Sequence, residues 1–323
     1  MNKIGRGHAA KSSLSSPPLH MMHVDTDAQQ FAEASFGSDR RLALSCDWSK
    51  QDLPRTWPDR PGSFLRLWLS LLLAPFERGR APAKLPADLP GKAIPAYARE
   101  QFHGLPNGYY SHNIADGYDK GFEASMLYRV HKARKRMAKA MGVGRMLDVG
   151  CGSGRLIAEL TRAGADEVWG LDPSPYMLKI AQTRTPSAQL VQGLIEDNGF
   201  PDEFFDSIGV CFVFHELPKD VTALAIMELH RILRPGGTLC ITEPCREHIH
   251  ETNVVTLFRR YGMRGVYFHL LARGVYEPFL QDWQSLGDHG KWLTDAGFEL
   301  IDKSVDVPFQ FLVAKKSGGR LCS

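Results

Sequence analysis

The chain of 323 residues has no CxxC pair among its six cysteines, Cys46, Cys151, Cys211, Cys240, Cys245 and Cys322. That scatter argues against a structural zinc site and against a disulfide scaffold, and it predicts reduced thiols in a cytoplasmic setting. No apolar run has the length of a membrane span: the nearest, FLRLWLSLLLAPF from Phe64 to Phe76, is interrupted by Arg66 and Ser70 and ended by Pro75. Excess charge of one sign is also missing. A net +3 implies no nucleic-acid partner unless the cations cluster. The first twenty residues lack acids but carry Lys3, Arg6 and Lys11, which suits an organelle-targeting peptide or, more plainly, a solvated tail. No internal repeat is present.

What is there falls into three parts. Residues 1–60 have little periodicity and read as an irregular extension. Residues 61–141 read as a helical cap: an apolar helix over 64–76, a proline-rich linker, and a helical signal from 96 that closes at Gly142. From 142 to 318 short apolar runs alternate with helix-like stretches. RMLDVG, EVWGLD, AQLVQG, DSIGVCFVF and TLCITEP read as strands, and Ser174 and Pro175 open one of the helices between them. This alternation predicts an α/β fold with a doubly wound, Rossmann-like, mostly parallel sheet. The last two runs, in GFELIDKSVDVPFQFLVAKK, are too close for a crossover and predict an antiparallel end to a seven-stranded sheet. Residues 246–285 form an aromatic insertion before the last helix.

The stretch MLDVGCGSGRL places Gly150, Gly152 and Gly154 between a strand and a helix, where backbone N–H groups and a helix end can meet a polar ligand. A tight turn with no ligand is the bland alternative. The spacing is Gly-x-Gly-x-Gly, which differs from the dinucleotide fingerprint and weakens a dehydrogenase reading. Asp148, just before the first glycine, would repel a pyrophosphate and attract a cation. Asp172 ends the next strand, about twenty residues on, where a carboxylate suits ribose hydroxyls. A nucleoside that bears an amine and lacks phosphates satisfies both acids, as S-adenosylmethionine (SAM) does.

On these residues the part from about Gly144 to Lys316 resembles the class I SAM-dependent methyltransferases of small-molecule type, near the quinone-methylating branch. LDVGCGSG resembles the first motif of that family, GLDPS the second, GLIEDNGFPDEFFDSI the adenine-side stretch, and LHRILRPGGTLCITEP the entry to the last conserved strand. The resemblance implies SAM binding through Asp148, Gly150, Gly152 and Gly154, with Asp172 and Pro173 at the ribose and Leu194, Ile195 and Glu196 beside the adenine. Leu194 stands where the family commonly has an aspartate, so the polar contact to adenine falls to Glu196, Asp197 or backbone.

Methyl transfer from a sulfonium needs alignment first, and a base only where the acceptor loses a proton. His215 and then Glu216, in FVFHEL just beyond the fourth strand, are the candidate bases. A helix cap or loop hydrogen bond is the alternative for His215, and an exposed solvated acid for Glu216. Cys245, His248 and His250 offer too few ligands for a metal site, and none is expected. Tyr109, Tyr110, Tyr118, Tyr261, Tyr267 and Tyr276 are pocket candidates for a small, apolar or aromatic acceptor; a helical cap with its own core is the alternative. Arg259, Arg260, Arg264 and Arg273 interleave with aromatics and, with the 64–76 run, predict peripheral membrane contact unless the helix is an amphipathic core element. A SAM-binding partner without chemistry, an enzyme for a polar acceptor, and a homodimer all stay open.

Overall fold

The computed structural model describes residues 46–73, 81–246 and 253–318. The strands are β1 (Arg145–Val149), β2 (Glu167–Asp172), β3 (Gln189–Gln192), β4 (Phe205–Cys211), β5 (Leu233–Pro244), β6 (Phe298–Asp306) and β7 (Phe309–Lys316). They form one sheet in the order β3-β2-β1-β4-β5-β7-β6. The first five pair in parallel, and β7 runs antiparallel to both β5 and β6. After β3 the chain returns to the middle of the sheet, so the strand order reverses between β1 and β4. Sheets of this kind take ligands at the carboxyl ends of the strands beside such a reversal.

The helices are α1 (Phe64–Leu73), α2 (His112–Ser125), α3 (Arg129–Met141), α4 (Arg155–Arg162), α5 (Pro175–Arg184), α6 (Lys219–Ile232), α7 (Val254–Gly274), α8 (Leu280–Ser285) and α9 (His289–Asp295). Ser174 caps α5, its hydroxyl accepting from Met177 N–H at 3.3 Å, and Pro175 fills the first turn. Strand alternation sends neighbouring residues to opposite faces. Leu147 and Val149 of β1, with Leu239 and Ile241 of β5, join a core with α6, Trp283 and Trp292; Met146 and Cys240 join one with Met137, Leu156 and Ala181 of α3, α4 and α5. Both faces of the sheet are therefore covered, as a parallel sheet requires.

Two boundaries differ from the sequence reading. β4 stops at Cys211 because Phe212 takes a left-handed backbone, φ 62°, and the chain passes into a 3-10 turn over Phe214–Glu216. The irregular stretch 46–60 packs along the sheet domain: Trp48 is buried and its Nε1 donates to Leu190 O at 3.0 Å, while Tyr176 OH donates to Pro54 O at 2.6 Å. Its two short 3-10 turns carry no periodicity from which such docking could be read.

Trp283 is fully buried, stacked on Phe214 at 5.5 Å and on His289 at 3.8 Å between ring centroids. Trp283→Ala should destabilise the fold by about 3–5 kcal/mol, read as a lowered urea midpoint.

Candidate active site

The glycine loop runs from the end of β1 to the start of α4. Gly152 has φ 50°, and a Cβ built there would come no nearer than 4.0 Å to any protein atom, that of Met177. The space beside it is a cradle, open on the side where β1 and β4 part. At Gly150 the reason is packing: a Cβ would stand 2.4 Å from the Val213 side chain.

A cavity with about 1040 Å³ of empty space, counted to its mouth, lies over this loop. Asp148, Gly150, Gly152, Asp172, Pro173, Leu194 and Ile195 line it, as do Tyr97 and Leu217. Asp148 is buried, and its Oδ2 has no hydrogen-bond partner among the described residues. Burial pushes its carboxyl up to about 8, against the pull of the Arg134 charge. Asp172 accepts from Ser174 N–H through Oδ1 and from Gly152 N–H through Oδ2, both at 2.8 Å. Burial lifts it to about 6 despite those two bonds. Gly154 begins α4 behind the loop, and its neighbour Ser153 donates to Asp119 at 2.5 Å.

That Asp119 belongs to α2, which lies over the loop as a lid. It also accepts from Arg184 at 2.5 Å and faces Arg155 Nε at 3.1 Å. Tyr109 and Tyr118 close the same cavity, edge to face at 5.1 Å.

A second chamber, with about 1400 Å³ of empty space, adjoins the first and shares Tyr118, Phe122 and Phe212 with it. Leu67 of α1, Ile114 of α2, Phe268 and Leu271 of α7, and Phe309 of β7 give it an apolar wall. Glu277 is the acid and His103 the basic side chain of its lining.

Those two residues belong to a buried network. His103 Nε2 meets Glu216 Oε1 at 3.2 Å, and its Nδ1 meets Glu277 Oε1 at 3.3 Å. His215 Nδ1 meets Glu243 Oε2 at 2.7 Å, and its Nε2 faces Glu277 Oε2 at 3.6 Å. Glu216 also accepts from Tyr109 OH at 2.7 Å. Burial works against charge on His103, but the hydrogen bonds of Glu216 and Glu277 prevail and raise it to about 10. His215 is raised to about 9 because Glu277 and Glu243 outweigh the same penalty. Three carboxyl groups thus face two rings.

The structure brings His215 and Glu216 into this network, but His215 lines neither cavity and Glu216 lines the first. Tyr109 and Tyr118 are walls. Tyr110 is fully buried, donates to Ala98 O at 2.7 Å and lines neither cavity. Tyr261 packs against Cys245, Phe268 and Val307; Tyr267 is partly exposed and donates to Ser125 O at 2.8 Å; Tyr276 donates to Glu100 at 3.0 Å. None of those three lines a cavity. Glu196 turns to the Tyr97 hydroxyl and does not line the cavity. His248 and His250 lie outside the described residues, among which no group of three metal-ligating side chains occurs.

Sequence reasoning missed His103, Glu243 and Glu277. Glu243 was within reach: β4 pairs in parallel with β5, Cys211 opposite Thr242, so the residues just beyond must meet. His103 sits in an irregular segment with φ 57°, a backbone cost often found at functional positions. Nothing in the pattern links it to Glu277.

A family model described as a methyltransferase domain matches residues 147–241. The demethylmenaquinone methyltransferase of Staphylococcus carnosus is 37% identical over 200 residues, covering 59% of this chain and 77% of the relative. An uncharacterized methyltransferase of Synechocystis is 36% identical over 162 residues, covering 49% of this chain and 68% of the relative. Among solved structures, the DhpI–SAH complex is a slighter likeness, 18% identical over 64% of this chain and 94% of the other, with a TM-score of 0.49.

The protein is thus an enzyme that transfers methyl groups from SAM. The chain belongs to the class I SAM-dependent methyltransferases, on the branch that includes the demethylmenaquinone methyltransferases. The residues present fit the cofactor: an unpartnered buried carboxylate oxygen at Asp148 suits a cationic group, and the cradle at Gly152 leaves room for it.

The two raised histidines also tie stability to pH. Their pKa values lie near 10 and 9 when folded and near 6.5 when not, so their contribution is full below about pH 6.5 and is lost as pH rises through 9 and 10. The melting temperature should fall across that window, and His103→Gln should make the fall shallower.

Proposed function

We propose that this methyltransferase acts on a small, apolar, ring-bearing acceptor that gives up a proton, bound in the second chamber. The observation that carries this is the chamber itself: an apolar space that shares a wall with the donor cavity and has an acid and a histidine at one end. The Staphylococcus carnosus relative is named for demethylmenaquinone, an acceptor of that class.

In this reading Asp148 faces the ammonium of the donor, and Asp172 takes the ribose hydroxyls with Pro173 alongside. The 150–154 loop lies against the donor, and Leu194 and Ile195 pack on the adenine. When bound, SAM supplies an electrophilic methyl group on a positively charged sulfur. Tyr118, Phe122 and Phe212 form the partition at which donor and acceptor meet, so their rings set the line of approach and keep water out. The acceptor atom gains the methyl group and releases a proton. Glu277 receives it, since it lines the chamber and its two oxygens meet the two imidazole rings of the network. His103 holds one oxygen of Glu277 and His215 the other, and Glu243 fixes the His215 ring. His215 is then a positioning residue, one step behind the proton transfer.

Two measurements test this. Methyl-labelled SAM, incubated with the protein and a cell extract, should deliver label to the organic phase; label confined to the aqueous phase would overturn the apolar acceptor. Glu277→Gln should slow that transfer by about 10²–10⁴ while SAM affinity stays within about twofold; an undiminished rate would remove Glu277 from the chemistry. Binding of SAM should also be linked to pH. Asp148, near 8 in the free protein, ionises beside the ammonium, so most of one proton is released at pH 7, and the release falls as pH rises through 8. Titration calorimetry in buffers of different ionisation heat reads this, and Asp148→Asn should abolish it.

A further inference from the structure

Ten of the fourteen large apolar side chains exposed among the described residues fall on three segments. They are Leu65 and Leu69 of α1; Leu127 and Tyr128 in the turn after α2; and Val254, Val255, Phe258, Met263, Tyr267 and Leu270 of α7. Scattered apolar residues are normal on a protein surface, but a concentration of this kind is not. The segments are joined. Tyr267 OH donates to Ser125 O at 2.8 Å, and Asp306 lies between Arg129 of α3 and Arg264 of α7. Leu67 of α1 and Leu271 of α7 line the same second chamber.

The turn shows the same bias at a backbone cost. Leu127 and Tyr128 both adopt left-handed conformations, φ 50° and 57°, which non-glycine residues rarely take. The strained backbone here carries two large apolar side chains into solvent, with Tyr128 69% exposed.

The two helices of this face carry basic charge, with Asp306 the acid that lies between them. α7 carries Arg259, Arg260, Arg264 and Arg273 and no acid, and α3 beside it carries six lysines and arginines and no acid. Among the described residues only Arg264 of the α7 arginines is paired with an acid, Asp306. The exposed helical stretches on either side of the break at Gly262 mix large apolar side chains with arginines, three of the four without an acid partner among the described residues, and this matches the headgroup and acyl boundary of an anionic bilayer.

α7 has two faces in this arrangement. Phe268, Leu271 and Ala272 look into the second chamber, while Met263, Tyr267 and Leu270 look outward. We infer that α7, with α1 and the 127–128 turn, docks on an anionic lipid bilayer, so that an apolar acceptor passes from the lipid into the second chamber along the α1–α7 side. The passage rests on the apolar-acceptor reading above; the docking does not.

Sedimentation with vesicles, without SAM or acceptor, tests the docking alone. Vesicles of phosphatidylcholine and phosphatidylglycerol in equal parts should carry the protein down at about 50 mM salt, and pure phosphatidylcholine vesicles should not; raising salt to about 500 mM should release it. Arg259→Gln with Arg260→Gln should weaken binding about 20-fold, at roughly fivefold for each charge lost. Phe258→Ser with Leu270→Ser should weaken it about tenfold. Both double variants should keep wild-type circular dichroism and wild-type label transfer to a detergent-dispersed extract, since none of the four residues lines a cavity. No sedimentation of the wild type with the anionic vesicles, or unchanged binding by folded variants, would overturn the docking. Label found only in the aqueous phase would overturn the acceptor and leave the docking standing.

Discussion

Two carboxyl groups, Asp148 and Asp172, are held in the interior at the ends of paired strands, and their desolvation is the constraint round which the site is built. Each raises the energy of the other's charged form as well as losing its own water. Asp172 is compensated by two backbone N–H groups, one of which comes from the glycine loop. That bond fixes the loop in the conformation that leaves the cradle beside Gly152. Asp148 is compensated less and keeps Oδ2 without a partner among the described residues. The protein thus stores an unfavourable burial that a cationic ligand relieves, which makes binding specific for charge as well as shape.

The second chamber follows a different rule. Its wall is apolar, and its polar end is a chain of alternating acids and imidazoles. Burying such a chain is tolerable only because each member has a partner within hydrogen-bond or ion-pair reach. Its members come from the segment before the lid, from the turn after β4, from the end of β5 and from the loop after α7. The sheet supplies three of them at adjacent strand ends, His215, Glu216 and Glu243, and the cap supplies the other two, His103 and Glu277. The site is complete only when the cap is folded onto the sheet.

The fold could be read from the sequence where the chain repeats a local rule. The strands β1 to β5, the capped start of α5 and the antiparallel end of the sheet all follow from apolar runs, Ser174 with Pro175, and the short break at Val307. The donor cavity was legible too, because the glycine loop, Asp148 and Asp172 lie on elements whose order fixes their proximity. The network was not. His103 and Glu277 sit in segments without periodicity, and their meeting depends on how the cap packs. Tyr110 and Tyr276 show the converse: aromatic residues near a site satisfy their hydroxyls within the protein, Tyr110 in the core and Tyr276 half-buried.

Tyr118 and Phe122 stand on one helix and face both cavities. The partition between the two cavities is therefore part of α2, the helix held to the glycine loop through Asp119, Ser153 and Arg184. A change in that helix is felt on both sides at once. Kinetic constants for the two substrates, measured separately, will not be independent quantities in this enzyme. A substitution at the partition that alters one of them will carry the other with it.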